Sequence, residues 1–147
     1  MRERKDVWRD GDEAAGYEVR IDRARRLLRF EFWGYWQLAL GISYRDTCIA
    51  AMKVLSPGGR WSVLANISRY PAQKPDVAKC HADTMVLAGP LGMARAANLV
   101  DNTLSQMQIR RLSQESGLPE FAFFQDEAAA LAWIESEDGK DKDKDKR

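Results

Sequence analysis

Two patterns of apolar spacing divide this chain, one of period two near its start and one of mixed strand and helix signals after it. Tyr17, Val19 and Ile21 alternate with charged residues, and Leu28, Phe30 and Phe32 alternate with Arg29 and Glu31. That alternation is the mark of half-buried strands, and Asp22–Arg26 turns the chain between them, so the pair reads as a hairpin. From about Gln37 to Leu55 the spacing becomes helical, with Leu38, Ile42, Ile49 and Met52 on one stripe and Arg45, Asp46 and Lys53 off it. Ser56-Pro-Gly-Gly59 breaks the helix, and Trp61–Ile67 then reads as a central strand. Pro75 sits where a first helical residue needs no amide, opening a segment that runs to about Ala88 and ends at Gly89-Pro90.

The last third repeats the alternation at closer spacing. Met93–Val100 has strand length, and Thr103-Leu-Ser-Gln106 fits a capping box at the start of the next helix. Gly117 and Pro119 stop that helix. Phe121–Phe124 is a short apolar strand, after which Asp126 caps a helix over Glu127–Ile134.

The order is β-β-α-β-α-β-α-β-α. Strict alternation after the hairpin implies an α/β fold, a mainly parallel or mixed sheet of about five strands with an N-terminal hairpin and about four helices. The helices 38–55 and 103–116 are expected to pack on that sheet. Residues 1–16 are charged and aperiodic, so a flexible arm is expected there. Residues 17–135 form the folded domain, and 136–147, with its Asp-Lys repeats, is expected to be a disordered tail that cannot bury apolar surface.

Composition narrows the class of protein. At 147 residues with 45% hydrophobic and 10% aromatic residues, the chain can close one core of ordinary size. A net charge of +1 is too mild to imply nucleic-acid binding. The N-terminus MRERKDVWRD lacks the apolar core of a signal peptide, and no apolar run is long enough to cross a bilayer. Two cysteines are fewer than a small secreted domain would carry. A soluble cytoplasmic protein without membrane insertion is therefore expected.

Candidate chemistry is sparse. Cys48, Cys80 and His81 are the soft ligands available, but no CxxC or HxxxH spacing occurs, and adjacent Cys80 and His81 diverge by about 100° on a helix. No metal and no cofactor are expected. Asp76 and Asp83 flank His81 without a nucleophile beside them, so no catalytic residue is assigned. Arg20, Arg23, Arg25, Arg26 and Arg29 crowd the hairpin; the favoured reading is a solvated face interleaved with Glu18, Asp22 and Glu31, and the alternative is a patch for phosphate, anionic lipid or an acidic partner. Trp33, Tyr35 and Trp36 follow one another where strand gives way to helix, so they cannot all face one core, and at least one is expected to be partly exposed or to line a groove beside the helix. Core packing is the favoured role, and an interface or ligand wall the alternative. Arg110-Arg111 read as the solvated side of their helix.

Several stretches together resemble the STAS domain family, in its SpoIIAA-like branch related to anti-sigma-factor antagonists. They are Phe32-Trp-Gly-Tyr-Trp36, Trp61-Ser-Val-Leu-Ala-Asn-Ile-Ser68, Ala96–Val100, Gln108-x-Arg110-Arg111, and Phe124-Gln-Asp-Glu-Ala128 leading to Trp133-Ile134. The resemblance covers about residues 17–135. It implies a role in bacterial signalling through protein–protein interaction. The best-known members are switched by phosphorylation of a Ser in an Asp-Ser-Ser-Gly-like motif after the central strand. Here that loop reads Ser68-Arg-Tyr-Pro-Ala-Gln-Lys-Pro-Asp76, so no phosphorylation is expected, and Ser68 is the nearest candidate.

The sequence therefore points to a non-enzymatic STAS-like interaction domain that binds its partner constitutively. Trp33, Tyr35 and Trp36 would be the apolar anchors, and Arg25 and Arg26 would supply charge. The partner is unknown, and a homodimer is one form it can take. A second reading stays open, a carrier of a small molecule or lipid with an apolar pocket between the sheet and the helix 38–55.

Overall fold

The computed structural model describes residues 5–136. Its strands are β1 (Val7–Gly11), β2 (Gly16–Asp22), β3 (Leu27–Trp33), β4 (Trp61–Arg69), β5 (Met93–Leu99) and β6 (Phe121–Phe124). They make one sheet in the order β1-β2-β3-β4-β5-β6. The pairs β1–β2 and β2–β3 are antiparallel, and β3–β4, β4–β5 and β5–β6 are parallel. The helices are α1 (Leu38–Leu55), α2 (Pro75–Ala88), α3 (Thr103–Glu115) and α4 (Glu127–Glu135). Each parallel strand is laid beside its predecessor in the same direction across the sheet. The crossover helices α1, α2 and α3 pack together on one face, as a common hand of crossover requires.

The period-two pattern sorts side chains between the two faces. Tyr17, Val19, Ile21, Leu28, Phe30, Phe32, Val63 and Ile67 are buried together with Trp36, Met52, Val77 and Ile109 from the helical side. On the opposite face, Leu27, Leu64, Ala97 and Leu99 are buried beneath Ala130 of α4. Since α4 covers only part of that face, the rest carries charged side chains in cross-strand pairs. Arg9 lies 3.1 Å from Glu18, Arg69 3.8 Å from Glu31, and Arg29 meets Glu127 of α4 at 2.9 Å.

Residues 7–11 are not the expected arm but an edge strand, which makes six strands where about five were expected. Val7 pairs with Arg20 and Gly11 with Gly16. The strand is held by tertiary contacts that a local pattern cannot announce. Trp8 packs against the core, Arg23 binds the Asp6 carboxylate at 2.7 Å, and the Ser43 hydroxyl of α1 donates to Asp10 at 2.6 Å. Gly16 is required here because its cross-strand partner Trp33 lays its indole where a Cβ would stand.

Two helix starts follow the sequence and one departs from it. Pro75 is the first residue of α2, and Asp126 accepts a hydrogen bond from Ala129 N at 2.8 Å. At α3 the cap is Asn102, which accepts from Ser105 N at 3.0 Å, rather than the Thr103 capping box. Thr103 is thus the first helical residue, and the Ser105 hydroxyl adds a tertiary tie, donating to the Tyr70 carbonyl at 2.6 Å. The tail expected over 136–147 lies outside the described residues except for Ser136. That residue is clamped by Arg95, which donates to its carbonyl at 3.0 Å.

Candidate functional site

Three connections meet at the carboxyl end of the parallel strands, Gly34–Gln37 after β3, Tyr70–Lys74 after β4, and the start of α3 after β5. Gln73 ties them together. Its Oε1 accepts from Trp36 N at 2.7 Å, and its Nε2 donates to the carbonyls of Gly34 at 3.1 Å and Pro71 at 2.7 Å. Its backbone amide donates to Gln108 Oε1 and its carbonyl accepts from Gln108 Nε2, both at 2.8 Å. Lys74 reaches Gln37 Oε1 at 2.7 Å. A buried carboxamide with both ends satisfied orders the backbone around it, so these loops form a fixed platform.

The platform leaves apolar side chains outside. Tyr35 is 50% exposed, Leu104 67% and Met107 60%. Leu104 and Met107 stand one turn apart on α3, on the side away from its buried Ser105, Ile109 and Leu112. Arg110 and Arg111 share that outward side, and Arg110 lies 4.9 Å from the ring centre of Phe123. These α3 residues had no site signal in the sequence beyond being apolar positions off the buried stripe. Gln73 had none at all.

Beneath the platform lies a closed aromatic box. His81 of α2 is surrounded by the rings of Phe32, Trp36, Tyr44 and Tyr70, with centroids 4.9–5.5 Å away. The Tyr70 hydroxyl and His81 Nε2 are 2.7 Å apart. Burial lowers the His81 pKa to about 4, and burial pushes the Cys48 thiol up to about 12. Tyr44 and Tyr70 are likewise raised by burial. These groups stay uncharged near neutral pH.

The residues singled out in the sequence fall in separate places. Trp36 is fully buried in the box, so it is a core residue and not a surface anchor. Trp33 is half-buried over Gly16, donates to the Asp12 carbonyl at 2.7 Å, and faces the charged side of the sheet. Tyr35 alone of the three is exposed. Arg26 is not available to a partner, because its guanidinium donates to the carbonyls of Leu55, Gly59 and Arg60 and so caps the end of α1. Arg25 is exposed and pairs with Glu135 at 3.1 Å. Arg20, Arg23 and Arg29 are each paired with a carboxylate.

Cys80 Sγ lies against Gly41, where α1 approaches α2, and its neighbour His81 points into the box. Among the described residues no group of three or more His, Cys, Asp or Glu side chains is placed to hold a metal ion. Ser68 sits in β4, where its amide and hydroxyl both donate to Asn66 Oδ1, at 3.1 and 2.7 Å. Between the sheet and α1, α2 and α3 there is a void of about 60 Å3, far smaller than the several hundred Å3 that the small-molecule or lipid carrier reading required. No helix among the described residues is long and apolar enough to cross a membrane.

No known family model matches the chain, and no curated protein matches it. A solved structure does. It is an uncharacterised protein from the DUF3478 family with a SpoIIAA-like fold, from Shewanella loihica PV-4. The two share 18% identity and a TM-score of 0.62, over 84% of this chain and 98% of that one. The chain thus has a SpoIIAA-like fold, as the sequence motifs implied.

Proposed function

We propose that this chain is a non-catalytic interaction domain that takes a protein partner at the carboxyl end of its parallel strands, in bacterial signalling or regulation. The observation that carries the reading is the Gln73-locked set of connections, with Tyr35 exposed on one of them and Leu104 and Met107 exposed on the helix that Gln108 ties to it. A rigid platform lowers the entropy lost when a partner docks, and exposed aromatic and Met side chains are favoured anchors. The groups that would otherwise suggest chemistry, His81, Tyr70 and Cys48, lie inside the core and stay uncharged. The SpoIIAA-like fold agrees with a binding role, and the loop before α2 lacks the phosphoserine motif, so binding is constitutive.

Photo-cross-linking in the host cell tests this. A benzophenone side chain is placed at position 35, at position 107, or at Val86, an equally exposed site on α2 away from the platform. Positions 35 and 107 should capture the same protein, and position 86 should not. The reading fails if 35 and 107 give no common adduct, or if 86 gives it equally.

A further inference from the structure

The void between the sheet and its three helices has a chemical asymmetry that the partner-binding reading does not use. Its walls are mostly apolar, with Phe30, Val63, Ala65 and Ile109 among them. One buried hydroxyl breaks the pattern. Ser113 of α3 borders the void, is 1% exposed, and its Oγ is the one buried side-chain polar atom among the described residues with no hydrogen-bond partner. Buried hydroxyls are nearly always paired, so an orphan facing empty space marks a missing partner.

A second polar group borders the same space. Asn98 of β5 lines it, and its carboxamide makes one long contact, Nδ2 to the Ala122 carbonyl at 3.4 Å. Its Oδ1 is left as an acceptor. Ser113 and Asn98 together suit a head group that both donates and accepts, such as a hydroxyl or a primary amide.

The walls also exclude charge. No Asp, Glu, Lys or Arg lines the void. The titratable groups that do are Tyr44 and Cys48 of α1 and His81 of α2, each kept neutral by burial. A carboxylate or ammonium brought here would lose its hydration with nothing to replace it. Size sets the last limit, since one buried water needs roughly 10–15 Å3 of such space, so about 60 Å3 holds about four to six water-sized atoms, the size of a four-carbon alcohol. Met52, Met85 and Met93 line the void, and their flexible side chains can yield space to a slightly larger guest.

We propose that this void is a binding site for a small neutral molecule with a short apolar body and one hydrogen-bonding head, the head being held by Ser113 and Asn98. The site is separate from the platform that would hold a protein partner, so either assignment can fail without the other.

The test uses 1-butanol, butane and butyrate as probes, followed by methyl NMR shifts of Ala96 and Ile109, both of which border the void. Butanol should shift both methyls saturably and bind about tenfold more weakly to Ser113→Ala, the cost of one hydrogen bond. Butane should bind wild type and Ser113→Ala alike, and butyrate should give no shift. Ala65→Leu, which fills the void, should abolish binding. If that variant does not fold, Ser113→Ala, which barely changes volume, carries the comparison alone. The assignment is overturned if butanol gives no saturable shift, if Ser113→Ala binds it as well as wild type, or if butyrate competes with it. The first two results would leave Ser113 facing only water or a packing defect, and the third would show a site that admits charge, against the neutral guest proposed.

Discussion

The Tyr70 hydroxyl and His81 Nε2 lie 2.7 Å apart within a box of four aromatic rings. This contact joins the β4–α2 connection to the body of α2 and seals the core under the platform. Because the imidazole is fully enclosed, its charge state is coupled to folding.

Burial lowers the His81 pKa from 6.5 to about 4 in the folded chain. The unfolded state therefore binds the proton first as pH falls, and the contribution of neutral His81 is complete above about pH 6.5 and lost progressively toward pH 4. The size of the loss is about 3 kcal/mol across that window. Urea denaturation at a series of pH values should show stability rising from pH 4 to 6.5, with the slope flattened in His81→Gln. An unchanged slope in the variant would mean the acid sensitivity belongs to carboxylates instead.

Neighbouring aromatic residues should respond in opposite ways. Trp36 is fully buried and its indole donates to the Trp33 carbonyl at 3.1 Å, so Trp36→Ala should cost about 3–5 kcal/mol. Tyr35→Ala should stay within about 0.5 kcal/mol of wild type, as exposed substitutions usually do, while reducing capture of the partner through position 107. Thermal unfolding of the two variants and cross-linking of the second decide this. A large loss of stability in Tyr35→Ala would remove it from the docking surface.

The aromatic cluster illustrates what local sequence can and cannot say. That Trp33, Tyr35 and Trp36 must diverge follows from adjacency alone, and they do. Which of them faces out depends on Gln73 and Gly16, distant in sequence, so it could not be read locally. The parallel strands and their helices were legible because each carries its own period and its own stop signal. Strand β1 was not, since Val7–Gly11 is short and half charged and is held by Asp6, Asp10 and Trp8 contacts to β2, α1 and the hairpin turn. The Arg26 clamp was hidden for the same reason, because its acceptors lie across the turn after α1.

Arg26 combines a left-handed backbone, φ +53°, with hydrogen bonds to the carbonyl of Leu55 at the end of α1 and to those of Gly59 and Arg60 in the turn before β4. Arg26→Ala should cost about 2 kcal/mol, since it frees those carbonyls and keeps a strained φ. Arg26→Gly relieves the backbone but not the lost bonds, and should remain clearly destabilised. Arg25→Ala, which breaks one exposed ion pair with Glu135, should lie within about 0.5 kcal/mol of wild type. Equal effects at 25 and 26 in chemical denaturation would contradict the clamp.

Phosphorylation should not control this chain through the loop after β4. A phosphate acts on a helix when it sits against the free amides at the amino end. Here α2 begins with Lys74 as an uncapped N-cap and Pro75, which has no amide to donate. Ser68 follows the alternation of Leu64 and Asn66, on the sheet face opposite α1, α2 and α3. A phosphate there would project toward the charged face, beside Asn66 Oδ1, an acceptor that repels it. Ser68→Asp should therefore leave cross-linking through positions 35 and 107 at wild-type yield and cost no more than about 1 kcal/mol of stability. Stoichiometric phosphate on Ser68 by mass spectrometry of the host protein, together with lost capture in Ser68→Asp, would instead restore the phosphoserine switch.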